Sequence, residues 1–411
     1  MNFKKITVSV LSSVILASSL FGCSGEKNII SYESGTVEAT PDKSPVIAKK
    51  DISATLLLTD DPENGACISS AHKSAFTAAA DELGIKADVV INADAEKTAE
   101  LAKDSNVIFG AGYGFMNPMD ELAKENTDKL YACFGGYKYN SSNYTNYSTA
   151  VYEAQYLAGI AAGSNSKTGK IGIISEFTTE YPDSAAEINS FTLGAKSVNP
   201  EVKVIVRSLG SRTDTSRAEE FAHALIAEGC DVISIQCDTT APADVAVNKD
   251  ILYIGYGVDM KSHDKDHCLA SIVWNLKAYY TAALTSVSNG TWAQENFCGN
   301  LANGAVTLSS VSGDTDPLLT ARIDSASYLI KKGFFEIFSN HVLEFDSEGN
   351  ADIVRAALID NNSNIMISED GSEYYLYSGE ELKSIDPAAV TTDNLASANM
   401  NYLVDGVTVR E

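Results

Sequence analysis

The chain has 411 residues, with 30 Lys and Arg against 55 Asp and Glu and a formal net charge of −25. That balance excludes a basic face for nucleic acid or anionic lipid, and most of the charge reads plainly as solubility at an extracytoplasmic surface. The length exceeds what one core usually holds, so two lobes are expected.

Lys4 and Lys5 precede an apolar run, 6–20, that ends in Leu20-Phe21-Gly22-Cys23. The run is too short to span a bilayer comfortably and has the positive start of a signal peptide. Leu-Phe-Gly-Cys is a bacterial lipobox: small Gly22 admits the lipoprotein signal peptidase, and the Cys23 thiol takes a diacylglycerol. An ordinary signal peptide with a chance cysteine is the weaker alternative. Residues 1–22 are expected to be removed. Residues 23–50, rich in Ser, Glu, Lys and Pro, read as a lipidated flexible linker with a reach of about 30 Å. Two or three acyl chains would hold it at the membrane essentially permanently. No later segment is long and apolar enough to span.

From residue 52 onward, short apolar runs alternate with helical patterns. Strands are expected at 52–59, 87–91, 107–109 and 130–134, with helices at 70–83, 97–103, 118–124 and 151–162, the last leaving the first lobe. The beat restarts with strands at 170–175, 202–207, 231–236, 252–256 and 269–273. Helices are expected at 185–197, 216–228, 241–247 and 277–288. This alternation predicts an α/β fold of two Rossmann-like, doubly wound lobes with parallel sheets. Lobe 1 is placed at 51–165 and lobe 2 at 166–275. Residues 276–411 read as a hinge crossover helix and a C-terminal α+β extension packing on the lobes. From residue 313 the extension holds one helix, 318–338, and hairpin-like stretches turning at Glu348-Gly349-Asn350 and Glu369-Asp370-Gly371.

Several motifs carry less chemistry than they suggest. Gly110-Ala111-Gly112-Tyr113-Gly114-Phe115 lacks the third glycine of a dinucleotide fingerprint and reads as backbone approaching a small ligand, with Tyr113 or Phe115 supplying a ring. The run 163–170 is a poor phosphate loop. His263-Asp264-Lys265-Asp266-His267-Cys268 has metal-ligand types without a matching half and reads as a surface loop. His72, His223 and His341 neighbour no nucleophile motif. Cys67, Cys133, Cys230, Cys237, Cys268 and Cys298 show no CxxC spacing and read mostly as buried free thiols. Asn140, Asn143 and Asn146 begin N-x-S/T sequons and read as a polar loop.

In doubly wound lobes ligands sit at the carboxyl ends of strands. Those ends carry Asp60 and Asp61, Tyr113, Phe115, Tyr137, Phe177, Asp238, Tyr256, Asp259, Trp274 and Asn275. Rings with a few carboxylates and an amide suit a flat, polar-edged heterocycle, stacked on its faces and donating from an exocyclic amine or ring N–H. No catalytic residue, metal or cofactor is expected.

Tyr152-Glu153-Ala154-Gln155-Tyr156-Leu157-Ala158-Gly159, Thr168 to Gly172 and Phe191 to Pro200 resemble the basic membrane protein (BMP) family of ABC-transporter substrate-binding lipoproteins. Ser271-Ile272-Val273-Trp274-Asn275, Tyr279-Tyr280-Thr281, Gly290-Thr291-Trp292 and Asn401 to Val407 resemble its nucleobase-binding branch. The resemblance implies a type I periplasmic-binding-protein fold whose lobes close on a purine base or nucleoside, and a partner ABC permease, with the chain a monomer. Nucleoside-binding members hold the ribose with an acidic residue and a lysine, where this chain has Gly257 and Trp274, which favours a free base such as adenine. It also has Ile68 where a tryptophan is expected, and a longer, more acidic loop after Ser175. A surface sensor signalling to a receptor, or a nucleoside-processing enzyme on the same scaffold, are the alternatives.

Overall fold

A computed structural model describes residues 44–64, 67–136, 138–140, 142–292, 297–312, 317–386 and 399–410. The lipobox with Cys23, and Tyr137, lie outside the described residues.

The first lobe comprises β1 (Ser53–Leu58), α1 (Cys67–Leu83), β2 (Lys86–Val90), α2 (Thr98–Leu101), β3 (Val107–Ala111), α3 (Met116–Glu125), β4 (Leu130–Phe134) and β5 (Tyr144–Thr149). Helix α4 (Val151–Asn165) crosses to β6 (Lys170–Ser175), α5 (Pro182–Val198), β7 (Lys203–Ser208), α6 (Thr215–Ala227), β8 (Val232–Gln236), α7 (Ala241–Asn248), β9 (Leu252–Gly257) and β10 (Cys268–Trp274). Helix α8 (Lys277–Asn289) leads back to β11 (Phe297–Gly299), and the chain returns to β12 (Val306–Leu308). Then come α9 (Leu319–Lys331), β13 (His341–Phe345), β14 (Ala351–Arg355), β15 (Leu358–Ile359), β16 (Ile365–Ile367), β17 (Tyr374–Ser378), β18 (Glu381–Ile385) and β19 (Val407–Arg410).

The first sheet runs β11-β5-β4-β3-β1-β2 and the second β12-β10-β9-β8-β6-β7-β19. All neighbours are parallel except β10 and β12. Strands such as β3 (Val-Ile-Phe-Gly-Ala) and β8 (Val-Ile-Ser-Ile-Gln) are buried along their whole length, as sheets covered on both faces require. In each lobe the first strand lies between the second and third, so the order reverses beside β1 and beside β6. Such reversals open a crevice at the carboxyl ends.

Three expectations need correction. The sequon run reads as a loop, yet Tyr144–Thr149 is β5, and Asn143 and Asn146 are 1% exposed. The Asn143 amide nitrogen donates to the carbonyls of Ala123, Asn126 and Lys129 at 2.9, 3.1 and 2.9 Å, so a polar side chain here ties the turn after α3 to a buried strand. Gly110 lies within β3 and serves core packing: a Cβ there would stand 2.6 Å from the Cβ of Phe115, whose ring is fully buried in the first lobe. The extension ends inside a lobe, because β19 becomes the outer strand of the second sheet beside β7.

The extension is tied to α5. Asn189, fully buried on that helix, donates from Nδ2 to the Tyr402 carbonyl at 2.8 Å, and its Oδ1 accepts from Val404 N at 2.8 Å. Buried Asp360 accepts from Tyr377 OH at 2.6 Å and Asn364 N at 2.7 Å, organising the four-stranded sheet β15–β18.

Helix α4 is buried nearly all round and lies against α5. A Cβ on Gly159 would fall on the Phe191 carbonyl oxygen, and one on Gly194 on that of Tyr156. The helices meet backbone to backbone. Because those atoms cannot rotate away, Gly159→Ala is expected to lower stability by about 1–3 kcal/mol or more. Ala161→Gly, also on α4, should cost only about 1 kcal/mol. Urea denaturation of both variants checks this, and equal midpoints would contradict the close approach.

Candidate functional site

A cleft between the lobes is lined from the first lobe by Ile68 on α1, Phe134 to Gly136 after β4 and Ser148 to Tyr152, running from β5 into α4. From the second it is lined by Ser175 and Glu176 after β6, Asp183, Ser184, Ala186 and Glu187 on α5, Arg212, Gln236, Tyr256 and Trp274. Cys298 on β11 completes it. In the second lobe this is the reversal point, where the Glu176 N–H donates to the Gln236 carbonyl at 3.0 Å.

Aromatic side chains form much of the wall. Phe134 and Trp274 have ring centroids 5.3 Å apart, and Tyr256 and Trp274 5.9 Å. Behind them His72 is fully buried, its Nδ1 2.8 Å from Tyr280 OH. Burial first, then the Arg212 charge, lowers the His72 pKa to about 3, so the ring stays neutral.

The polar part of the lining is acidic. Arg212 Nε donates to Glu176 Oε2 at 3.2 Å. Gln236 Nε2 donates to Gln155 Oε1 at 3.2 Å, Gln155 Nε2 to Glu187 Oε2 at 2.9 Å, and Tyr256 OH to the same oxygen at 2.9 Å. Burial raises the Glu187 pKa to about 8 against the pull of those two hydrogen bonds, with Asp183 and Glu176 adding repulsion. Burial also raises Glu176 and Asp183, each partly offset by Arg212. Three buried polar atoms of the lining have no hydrogen-bond partner among the described residues: Glu176 Oε1, Gln236 Oε1 and Trp274 Nε1.

Of the residues singled out from the sequence, Tyr256 and Trp274 line this cleft. Asp238 sits beside it, 4% exposed, and its Oδ1 accepts from the Ile68 backbone N–H across the lobes at 2.6 Å. Burial raises its pKa to about 7. Asp60 lies at the neighbouring β1 end, 3.5 Å from Thr213 Oγ1 of the other lobe, and Asp61 follows it.

The others do not converge here. Phe115 is core and Tyr113 is 45% exposed beside it, and neither is among the residues that line the cavity. The Phe177 ring packs on Tyr181 at 4.5 Å. Asp259 caps a short turn, accepting from Lys261 N at 3.1 Å, and Asn275 is exposed just past β10, where its backbone N–H donates to Ala305 O at 2.8 Å. Glu176, Asp183, Glu187, Arg212, Gln236, Phe134 and Tyr152 were missed. The signal for the acids was the longer, acidic loop after Ser175. Ile68, noted as standing in place of a tryptophan, does line the cleft, and Gly257 has φ +82°, in the left-handed region that favours glycine.

Comparison with known proteins agrees with this architecture. The Bmp family model, described as ABC transporter substrate-binding protein PnrA-like, matches residues 63–337. A putative ABC transporter glucose-binding protein of Haloferax volcanii is 29% identical over 263 residues, covering 64% of this chain and 66% of the relative. A purine-binding protein of Brucella abortus is 32% identical over 231 residues, covering 56% and 65%. The alignments thus span just under two thirds of these relatives' own lengths. A nucleoside-binding protein of Lactococcus lactis is 30% identical over 135 residues, 32% of this chain and 36% of its own. Among solved structures, a transcriptional activator of the comK gene from Bacillus halodurans gives a TM-score of 0.60 at 23% identity, covering 68% of this chain and 98% of its own. An ABC transporter solute-binding protein from Conexibacter woesei gives 0.57 at 19%, covering 69% and 97%. These likenesses show the two-lobed solute-binding fold.

The raised carboxyls fix a pH dependence. Between the ordinary glutamate value of 4.5 and about 8, the folded Glu187 holds a proton that the unfolded chain has lost. Its contribution is complete at low pH and disappears as pH rises through that window. The unliganded protein is therefore expected to lose stability between about pH 5 and pH 9, and Glu187→Gln should flatten the decline. Urea midpoints across that range are the measurement. A slope unchanged by the substitution would count against a buried proton at Glu187.

Proposed function

The chain belongs to the Bmp family of ABC transporter substrate-binding proteins, and from that premise we propose that it captures a purine base, adenine-like rather than a nucleoside, and delivers it to a membrane permease. The family is one of solute binders, not of enzymes. The observation that carries the reading is a cleft between the lobes lined by Phe134, Tyr256 and Trp274 together with polar atoms at the strand ends of the second lobe that have no partner among the described residues.

A flat ring packs against the aromatic surface of Phe134, Trp274 and Tyr256, where a stacked face contributes on the order of 1–3 kcal/mol. The Trp274 indole N–H donates to a ring nitrogen, while Glu176 and Gln236 accept from N–H groups. With Gly257 and Trp274 at the positions that hold ribose in nucleoside-binding members, the sugar has no acidic or lysine partner there. The purine-binding relative supports this choice, and the glucose-binding relative names the probe that would oppose it. Tethering through a diacylglycerol on Cys23 keeps the monomeric binder at the extracytoplasmic face beside its permease.

Adenine at a hundred times its dissociation constant should add about 2.7 kcal/mol of stability, and adenosine or glucose at the same concentration much less. Trp274→Ala should weaken adenine binding by roughly 1–3 kcal/mol. Thermal denaturation and titration calorimetry read both effects, and a larger shift from adenosine or glucose would sink the free-base reading. Cys23→Ser should release the protein from membranes with affinity intact. Fractionation showing it still membrane-bound would refute the anchor.

A further inference from the structure

Two acceptors without a partner belong to residues that line the same cleft. Glu176 and Gln236 end adjacent strands, so their side chains start from hydrogen-bonded backbone. Each is fixed at its far end by a different partner: Arg212 Nε holds Glu176 Oε2, and Gln236 Nε2 donates to Gln155 Oε1. The second contact settles the amide's direction. Gln155 turns its nitrogen to the Glu187 carboxyl and its oxygen to Gln236, which answers with nitrogen and leaves its own oxygen without a partner. Gln236 is 3% exposed and Trp274 6%, and both line the cleft with Oε1 and Nε1 unpartnered. Glu176 Oε1 is unpartnered as well.

We propose that Glu176 and Gln236 determine specificity, selecting through these two oxygens a heterocycle that presents amino N–H donors and rejecting its oxo counterpart. This rests on the purine reading of the cleft and deepens it. An exocyclic amino group brings two N–H bonds to the pair. An oxo group at the same ring position sets oxygen lone pairs against two acceptors, beside a wall that already holds Asp183 and Glu187. A buried acceptor left facing an acceptor loses its solvation without gaining a bond, and sites of that kind discriminate more sharply than apolar pockets. Trp274 Nε1 adds the complementary demand for a ring nitrogen that accepts.

Adenine and hypoxanthine differ in this respect on one ring system, so calorimetric titration of the full chain with each is the test. The wild-type protein should bind adenine at least about tenfold more tightly than hypoxanthine. Glu176→Gln keeps the volume and lets an amide nitrogen turn to the oxo group, so it should narrow the ratio to within about threefold. Thermal unfolding verifies that the variant folds, and the wild-type comparison stands without it. Equal or tighter hypoxanthine binding, or a ratio untouched by Glu176→Gln, overturns this inference while leaving a purine site in place. Binding of glucose with neither base bound overturns the purine reading and the inference together.

Discussion

The backbone contact between α4 and α5 at Gly159 and Gly194 is the constraint on which the rest of the structure depends. Helix α4 begins in the first lobe at the cavity wall, with Val151 and Tyr152, and ends in the second. Helix α5 begins at the opposite wall with Asp183 and Glu187. Wherever α4 goes, the acidic wall follows, since no side chain separates the two helices at their crossing. Asn189 extends the same rigid unit to the extension by bracketing the backbone of Tyr402 and Val404. The extension therefore bears on the cleft without contributing to its lining, through the helix that carries the carboxylates.

Electrostatics at that wall is finely balanced. Burial lifts Glu176, Asp183 and Glu187 alike, and the Arg212 charge offsets it in part for Glu176 and Asp183, while Glu187 has only the hydrogen bonds of Gln155 and Tyr256. Arg212 answers mainly to Glu176, which raises its own pKa further. The aromatic wall supplies surface without charge, so orientation of a ligand falls to the polar side.

The two-lobed α/β architecture is legible in the sequence because short continuous apolar runs and helical patterns alternate with little interruption. Strand β5 is not legible: its Tyr-Thr-Asn-Tyr-Ser-Thr composition is polar, and it is buried only because Asn143 satisfies carbonyls that come from α3 and the turn after it. Short β11 and β12 are set by pairing at the lobe crossings, and β19 by a register with β7 some two hundred residues earlier, which local pattern cannot register. Tyr256 and Trp274 were legible at the cavity because strand ends of the second lobe converge there. Asp60, Tyr113 and Phe115 end strands too, at the reversal of the first lobe, yet that lobe's share of the lining comes from Ile68 on α1 and from the ends of β4 and β5. Which strand ends face the partner lobe is a property of how the lobes are joined, and no single strand encodes it.

Asp238 shows why a cleft carboxylate need not be a ligand contact. It lies two residues beyond Gln236, past the fully buried Cys237, where the chain bends after β8. Gln236 opens onto the cavity, whereas Asp238 reaches the Ile68 N–H at the first turn of α1. That turn carries the positive end of the helix dipole and donors with no intrahelical partner, so a carboxylate is the natural group to meet it. The Asp60–Thr213 pair, at 3.5 Å, joins the lobes at the neighbouring strand end. One strand end thus serves both the cavity and the junction of the lobes. A loss of affinity on altering Asp238 is therefore to be read as a change in how the lobes meet before it is read as a lost ligand bond.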